Sequence, residues 1–150
     1  MGLRDRLKGK RVYFDANIFI YLMEGYPAFE TELQDIRNSI RYGESHICTS
    51  ELTLCEVLVP AFRTNNSNLF TLYRQFIEQS GAFELVPTTR ETYIRAALLR
   101  AEHGLKTPDA IHMASAIESG CGAFLTNDKP LKAPKGMEVF GFTNPSIDSL

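Results

Sequence analysis

Four acids stand in apolar company in this 150-residue sequence. Asp15 follows Val12-Tyr13-Phe14, and Glu56 is the one charged residue in Leu52-Thr53-Leu54-Cys55-Glu56-Val57-Leu58-Val59. Asp109 comes just after Thr107-Pro108, and Asp128 closes Phe124-Leu125-Thr126-Asn127. A carboxylate buried without a partner is costly, so such groups are normally paired, protonated or bound to metal. No lysine or arginine adjoins Glu56 in the sequence. Each acid has an ordinary role when taken singly: helix N-terminus for Asp109, turn former for Asp15 and Asp128, solvent-facing side chain for Glu56. Taken together they are four carboxylates without a cysteine or histidine set, an oxygen environment suited to Mg²⁺ or Mn²⁺. Two such ions about 3.5 to 4 Å apart stabilise both the attacking water and the leaving oxygen of a phosphodiester displacement. They also offset the repulsion among clustered carboxylates, so metal is expected to stabilise the fold.

The elements that must position these acids follow from periodicity. Residues 10–14, 47–49, 83–86, 123–126 and 137–140 are short β-branched or aromatic runs and predict five strands. Between them lie helical patterns. Asn17 is the expected N-cap of a first helix over 18–23, and Pro27 opens a second that stops at Gly43. Ser50 caps a third, which Pro60 is expected to bend or end. Asn65-Asn66-Ser67-Asn68 reads as a loop, followed by helices over 69–79 and 88–103. Thr107 as N-cap with Pro108 at the first helical position starts the last. Strands separated by helices, without hairpin turn signals, predict an α/β fold with a mostly parallel sheet of about five strands flanked by helices. Ligands of such sheets gather beyond the carboxyl ends of the strands, where Asp15 and Asp128 are expected.

Composition sets the outer bounds. The chain is 44% hydrophobic with 10 Gly and 7 Pro, which excludes collagen-like and disordered classes, and residues 1–150 are expected to form one domain. Sixteen bases against 18 acids give a net charge of −2, so any nucleic-acid contact must rest on local positive charge. Three cysteines without C-x-x-C spacing suggest neither a disulfide framework nor a zinc site. No secretory h-region or membrane-spanning run is present in the sequence, and the expected location is cytoplasmic.

The segments Val12 to Phe19, Glu51 to Val59, Thr107-Pro108-Asp109-Ala110-Ile111-His112-Met113-Ala114-Ser115-Ala116 and Phe124 to Asp128, in that order, resemble the PIN domain family, and within it the VapC-like toxin ribonucleases. The resemblance covers about residues 10–130. It implies a three-layer PIN-like fold and a divalent-metal-dependent endoribonuclease. Asp15, Glu56, Asp109 and Asp128 would then be the catalytic and metal-binding quartet, holding two Mg²⁺ or Mn²⁺ ions, with Asn17 and Thr126 in support. Ala16 stands where the family more often has Ser or Thr, and Leu131 where many toxins carry a further acid. The implied partners are an RNA substrate, a small antitoxin protein and a second copy of the chain, and the apolar helices over 18–40 and 69–79 are the expected homodimer surface. Two other functions fit the same pattern: a PIN nuclease of RNA processing without an antitoxin, and a catalytically silent PIN-like binding module.

Lys129, Lys132 and Lys135 follow Asp128 and are expected near the site as RNA phosphate contacts. Arg4, Arg6, Lys8, Lys10 and Arg11 read as a solubilising tail. His112, three residues after Asp109 and so on roughly the same helix face, is expected as a packed histidine rather than a general base. No P-loop, G-x-G-x-x-G or G-x-S-x-G sequence is present, which leaves nucleotide-cradling and serine-nucleophile chemistry without a motif.

Overall fold

The computed structural model describes residues 2–127 and 131–142. Five strands, β1 (Arg11–Phe14), β2 (His46–Ser50), β3 (Phe83–Val86), β4 (Ala123–Leu125) and β5 (Glu138–Phe140), form one sheet in the order β3-β2-β1-β4-β5. Every pairing is parallel. The chain builds outward from β1 to β2 and β3, then returns to lay β4 on the other side of β1. The crevice between β1 and β4 is therefore where the strand order reverses, the place at which open α/β sheets bind ligands.

Among the described residues seven α-helices flank the sheet: α1 (Leu3–Leu7), α2 (Ala16–Glu24), α3 (Glu30–Arg41), α4 (Glu51–Arg63), α5 (Ser67–Arg74), α6 (Arg90–His103) and α7 (Thr107–Glu118). Alternation along β1 divides the core. Val12 and Phe14 pack with Ile18, Phe19, Leu33 and Ile36 on one face, while Tyr13 packs with Leu99, Met113 and Phe124 on the other. The result is the three-layer arrangement of helices, sheet and helices. No described helix is long and apolar enough to cross a membrane. Cys48, Cys55 and Cys121 are all free thiols.

Several local expectations are corrected. Asp15, not Asn17, is the N-cap of α2, and its carboxylate accepts from the Ala16 amide at 2.8 Å. Lys106, not Thr107, caps α7, which leaves Thr107 and Pro108 in its first turn. Pro60 lies inside α4, whose end at Arg63 agrees with the helix expected to reach about Phe62. It lacks the N–H that would reach the Glu56 carbonyl four residues back, and this one missing bond falls where the helix side is exposed. The asparagine run is only partly loop, because Asn66 accepts from the Leu69 amide at 2.9 Å and so starts α5 at Ser67. The helix over 69–79 becomes α5 followed by one π-helical turn, Gln75–Gln79.

The basic N-terminus is not a solvated tail. Leu3 and Leu7 of α1 are buried, Arg4 forms a two-pronged pair with Glu44 at 2.8 Å, and the Arg6 guanidinium lies 4.5 Å from the Phe140 ring centroid. The expected homodimer faces are also largely spent on the core, since Ile18, Phe19, Leu33, Ile36, Tyr73 and Ile77 are buried. Tyr26 and Leu72 remain exposed on those segments, and further exposed apolar side chains lie on α6, at Tyr93, Ile94 and Leu98, and at Phe62 of α4.

Candidate active site

The site grows from the carboxyl end of β1. Asp15 is the first residue past the strand, and its amide donates to the Leu125 carbonyl of β4 at 3.0 Å, which fixes the backbone at the crevice. Its side chain is 9% exposed. Oδ1 accepts from the Ala16 amide, and Oδ2 accepts from the Thr126 hydroxyl at 2.7 Å. Thr126 sits just past β4 and is buried, so two strand ends hold one carboxylate between them. Asn17 completes the support: its Oδ1 accepts from the Asn127 amide at 3.4 Å, and its Nδ2 lies 3.5 Å from the Thr126 hydroxyl.

Glu56 arrives from the second turn of α4, which starts at the carboxyl end of β2. Its side chain is 35% exposed. Helix α7 precedes β4 and runs opposite to the strands, so its first turn, with half-buried Asp109, lies at the same end of the sheet. One turn further along α7, His112 is 1% exposed. Its Nε2 is hydrogen-bonded to Glu56 Oε1 and lies 3.4 Å from Asp15 Oδ1. Its Nδ1 meets the Tyr13 hydroxyl at 2.6 Å, and that hydroxyl lies 2.8 Å from Ser50 Oγ. Burial pushes the Tyr13 phenol well above its ordinary range, so it stays protonated.

Ligand atoms of Asp15, Glu56 and His112 lie within 4.8 Å of one another. Among the described residues no lysine or arginine pairs with either carboxylate; their ion-pair contacts are with His112. Two carboxylates sharing one imidazole make an acid-rich cluster, and its donor set fits a hard divalent cation.

A model of the PIN domain matches residues 12–136. The chain belongs to the PIN domain family. Solved structures of similar PIN-type fold include VapBC2 from Rickettsia felis bound to a DNA fragment from their promoter, at a TM-score of 0.69 and 13% identity, covering 89% of this chain and 99% of that one. DNA-bound VapBC from Salmonella typhimurium aligns at 0.67 and 17% identity, over 88% and 98% of the two chains. A toxin-antitoxin complex from Klebsiella pneumoniae aligns at 0.64 and 24% identity, over 86% and 95%. No curated protein matches the chain.

Within this PIN fold, Asp15, Glu56, Asp109, Asn17 and Thr126 all stand at the carboxyl end of the sheet. Asp128 and Lys129 lie outside the described residues. Lys132 is exposed on the segment joining β4 to β5. Lys135 is not beside the acids: it lines a cleft with Cys121 and Met137, which precede β4 and β5. The segment has by then returned to the amino end of the sheet, as a parallel connection must. His112 is packed, and it also touches two of the acids. Its place one turn after Asp109 was the one sequence signal for this contact.

Proposed function

We propose that this PIN domain is a divalent-metal-dependent endoribonuclease, the toxin of a two-protein toxin–antitoxin pair, with residues 1–150 acting as one domain. The observation that carries the reading is the convergence of Asp15 and Glu56 at the strand-order reversal, with no lysine or arginine paired with them among the described residues. Asp15, Glu56 and Asp109 would hold Mg²⁺ or Mn²⁺, with Asp128 as the fourth acid and two ions per site. When bound, such ions stabilise charge on a scissile phosphate and lower the pKa of water.

The chain's own residues do the positioning. Thr126 and the Ala16 amide fix both oxygens of Asp15, so this carboxylate has one orientation before any ligand arrives. The N-terminus of α7 faces the same end of the sheet, and the positive end of a helix favours anionic groups such as RNA phosphates. Exposed Lys132, together with Lys129, would add positive charge along the approach. Similar solved structures that are toxin–antitoxin complexes support a small antitoxin as partner. In this reading the protein acts in the cytoplasm as a homodimer.

The test is cleavage of RNA, with a DNA control, by the purified chain in Mg²⁺ or Mn²⁺ against EDTA. Asp15→Asn and Asp109→Asn are each expected to lose at least about a hundredfold in rate, the scale of removing transition-state charge stabilisation. Equal rates in the variants overturn the assignment. Growth arrest on expression, relieved by a small protein encoded beside this one, tests the antitoxin.

A further inference from the structure

We propose that His112 is a positioning residue for the metal site, acting through a buried chain that runs from Ser50 through Tyr13 and His112 to Glu56. The inference rests on the metal-site reading above and goes beyond its acids. A carboxylate oxygen accepts and never donates. His112 Nε2 faces Glu56 Oε1 and, at 3.4 Å, Asp15 Oδ1, so Nε2 carries a hydrogen and is the donor to the cluster.

The two acids need this donor unequally. Asp15 is short, buried and held by Thr126 and the Ala16 amide. Glu56 has a longer side chain, is a third exposed, and has no other hydrogen bond to its carboxylate among the described residues. Free of His112 it would sample several rotamers, and a metal would have to order it on binding. The imidazole fixes Oε1 and leaves Oε2 without a hydrogen-bond partner among the described residues. The ring is itself fixed from behind. Nδ1 and Ser50 Oγ both lie within hydrogen-bonding distance of the Tyr13 hydroxyl, and the Tyr13 ring stacks on Phe124 with centroids 5.2 Å apart. Ser50 and Tyr13 are 0% exposed. A histidine serving only to fill the core would not need Nε2 aimed at the two acids while Nδ1 is anchored in a closed polar chain. This is the outer-shell pattern by which proteins orient metal-binding carboxylates.

The test measures Mn²⁺ binding to the purified chain by loss of the free-ion EPR signal, alongside the Mn²⁺ dependence of RNA cleavage. His112→Phe keeps the volume and loses the donor. It is expected to weaken Mn²⁺ binding about ten- to a hundredfold and to raise the metal concentration for half-maximal cleavage by a similar factor. His112→Gln restores an N–H and is expected to recover most of the affinity. Tyr13→Phe, expected to lower affinity about fivefold through loss of the hydrogen bond to His112, carries the test if His112→Phe does not fold. Unchanged Mn²⁺ affinity in His112→Phe, or in Tyr13→Phe where it stands in, overturns the proposal. So does a His112→Gln variant as weak as His112→Phe, or a ¹⁴N coupling to bound Mn²⁺ in pulsed EPR, which would make His112 a ligand. A parent chain that binds no Mn²⁺ overturns the metal reading and this inference with it; a parent that binds while His112→Phe binds equally overturns this inference alone.

Discussion

Two polar clusters occupy opposite ends of one sheet, and each brings metal-ligating atoms within 4.8 Å of one another. At the amino end these are His46, Cys48 and Glu84; at the carboxyl end, Asp15, Glu56 and His112. They differ in charge balance. Glu84 receives His46 Nε2 at 3.0 Å on one oxygen and the Arg11 guanidinium at 2.8 Å on the other, and Arg11 also donates to the Ser119 carbonyl. Hydrogen bonds from His46 and then Arg11 hold the Glu84 carboxyl below the usual range. That cluster is satisfied by its own cations and half open to water. The carboxyl-end cluster has two carboxylates for one imidazole and lies deeper. Closeness of ligand atoms is thus common to both, and among the described residues an excess of acid without a fixed cation distinguishes the second and supports the proposed cation site.

Substitutions at the two ends sharpen this contrast. The largest effect is expected from metal addition. At about a hundred times its dissociation constant, Mn²⁺ contributes roughly 2.7 kcal/mol and raises the melting temperature by about 5–10 °C. Asp15→Asn is expected to abolish the rise, and Glu84→Gln to leave it intact. A rise lost equally in both variants would erase the distinction. Next comes Thr126→Val, which removes the hydrogen bond to Asp15 Oδ2 and is expected to weaken Mn²⁺ binding about tenfold, read by the same titration. Smaller is Glu84→Gln itself. An exposed ion pair is worth about 0–1 kcal/mol, so denaturant unfolding should shift slightly and RNA cleavage not at all. Smallest is its pH dependence. A carboxyl whose folded pKa is depressed contributes stability above its unfolded pKa and loses it as pH falls through the folded value. The gap between parent and Glu84→Gln should therefore be full at neutral pH and close below about pH 4, as measured by melting temperature across pH.

The sequence carried the five strands and the order of the acids because both are written locally, in short apolar runs that end on polar residues. Helix α1 was hidden because two leucines among two arginines and an aspartate show no periodicity, and only the tertiary structure reveals that Leu3 and Leu7 reach the core. Lys135 was placed beside Asp128 by nearness in sequence, whereas a parallel connection must carry the chain back to the opposite end of the sheet. His112 shows the limit most plainly. Helical spacing puts it under Asp109, but its contact with Glu56 joins residues 56 positions apart, and no local pattern encodes such a meeting.

The reversal of strand order also sets when the site can exist. Asp15 is held by Thr126, 111 residues later in the chain, and β1 has no partner on its β4 side until Ala123–Leu125 has been made. During synthesis the first acid emerges early, yet its anchor, the His112 ring and the fourth acid all belong to the last third of the chain. A nascent chain that stops short of Thr126 therefore lacks the anchor of Asp15, whatever its helices have done, because contacts this distant in sequence form only once both ends are present. For a protein proposed to cut RNA, which is translated from one RNA by a machine built of others, this chain order withholds the cutting site until the segment around Thr126 has been made.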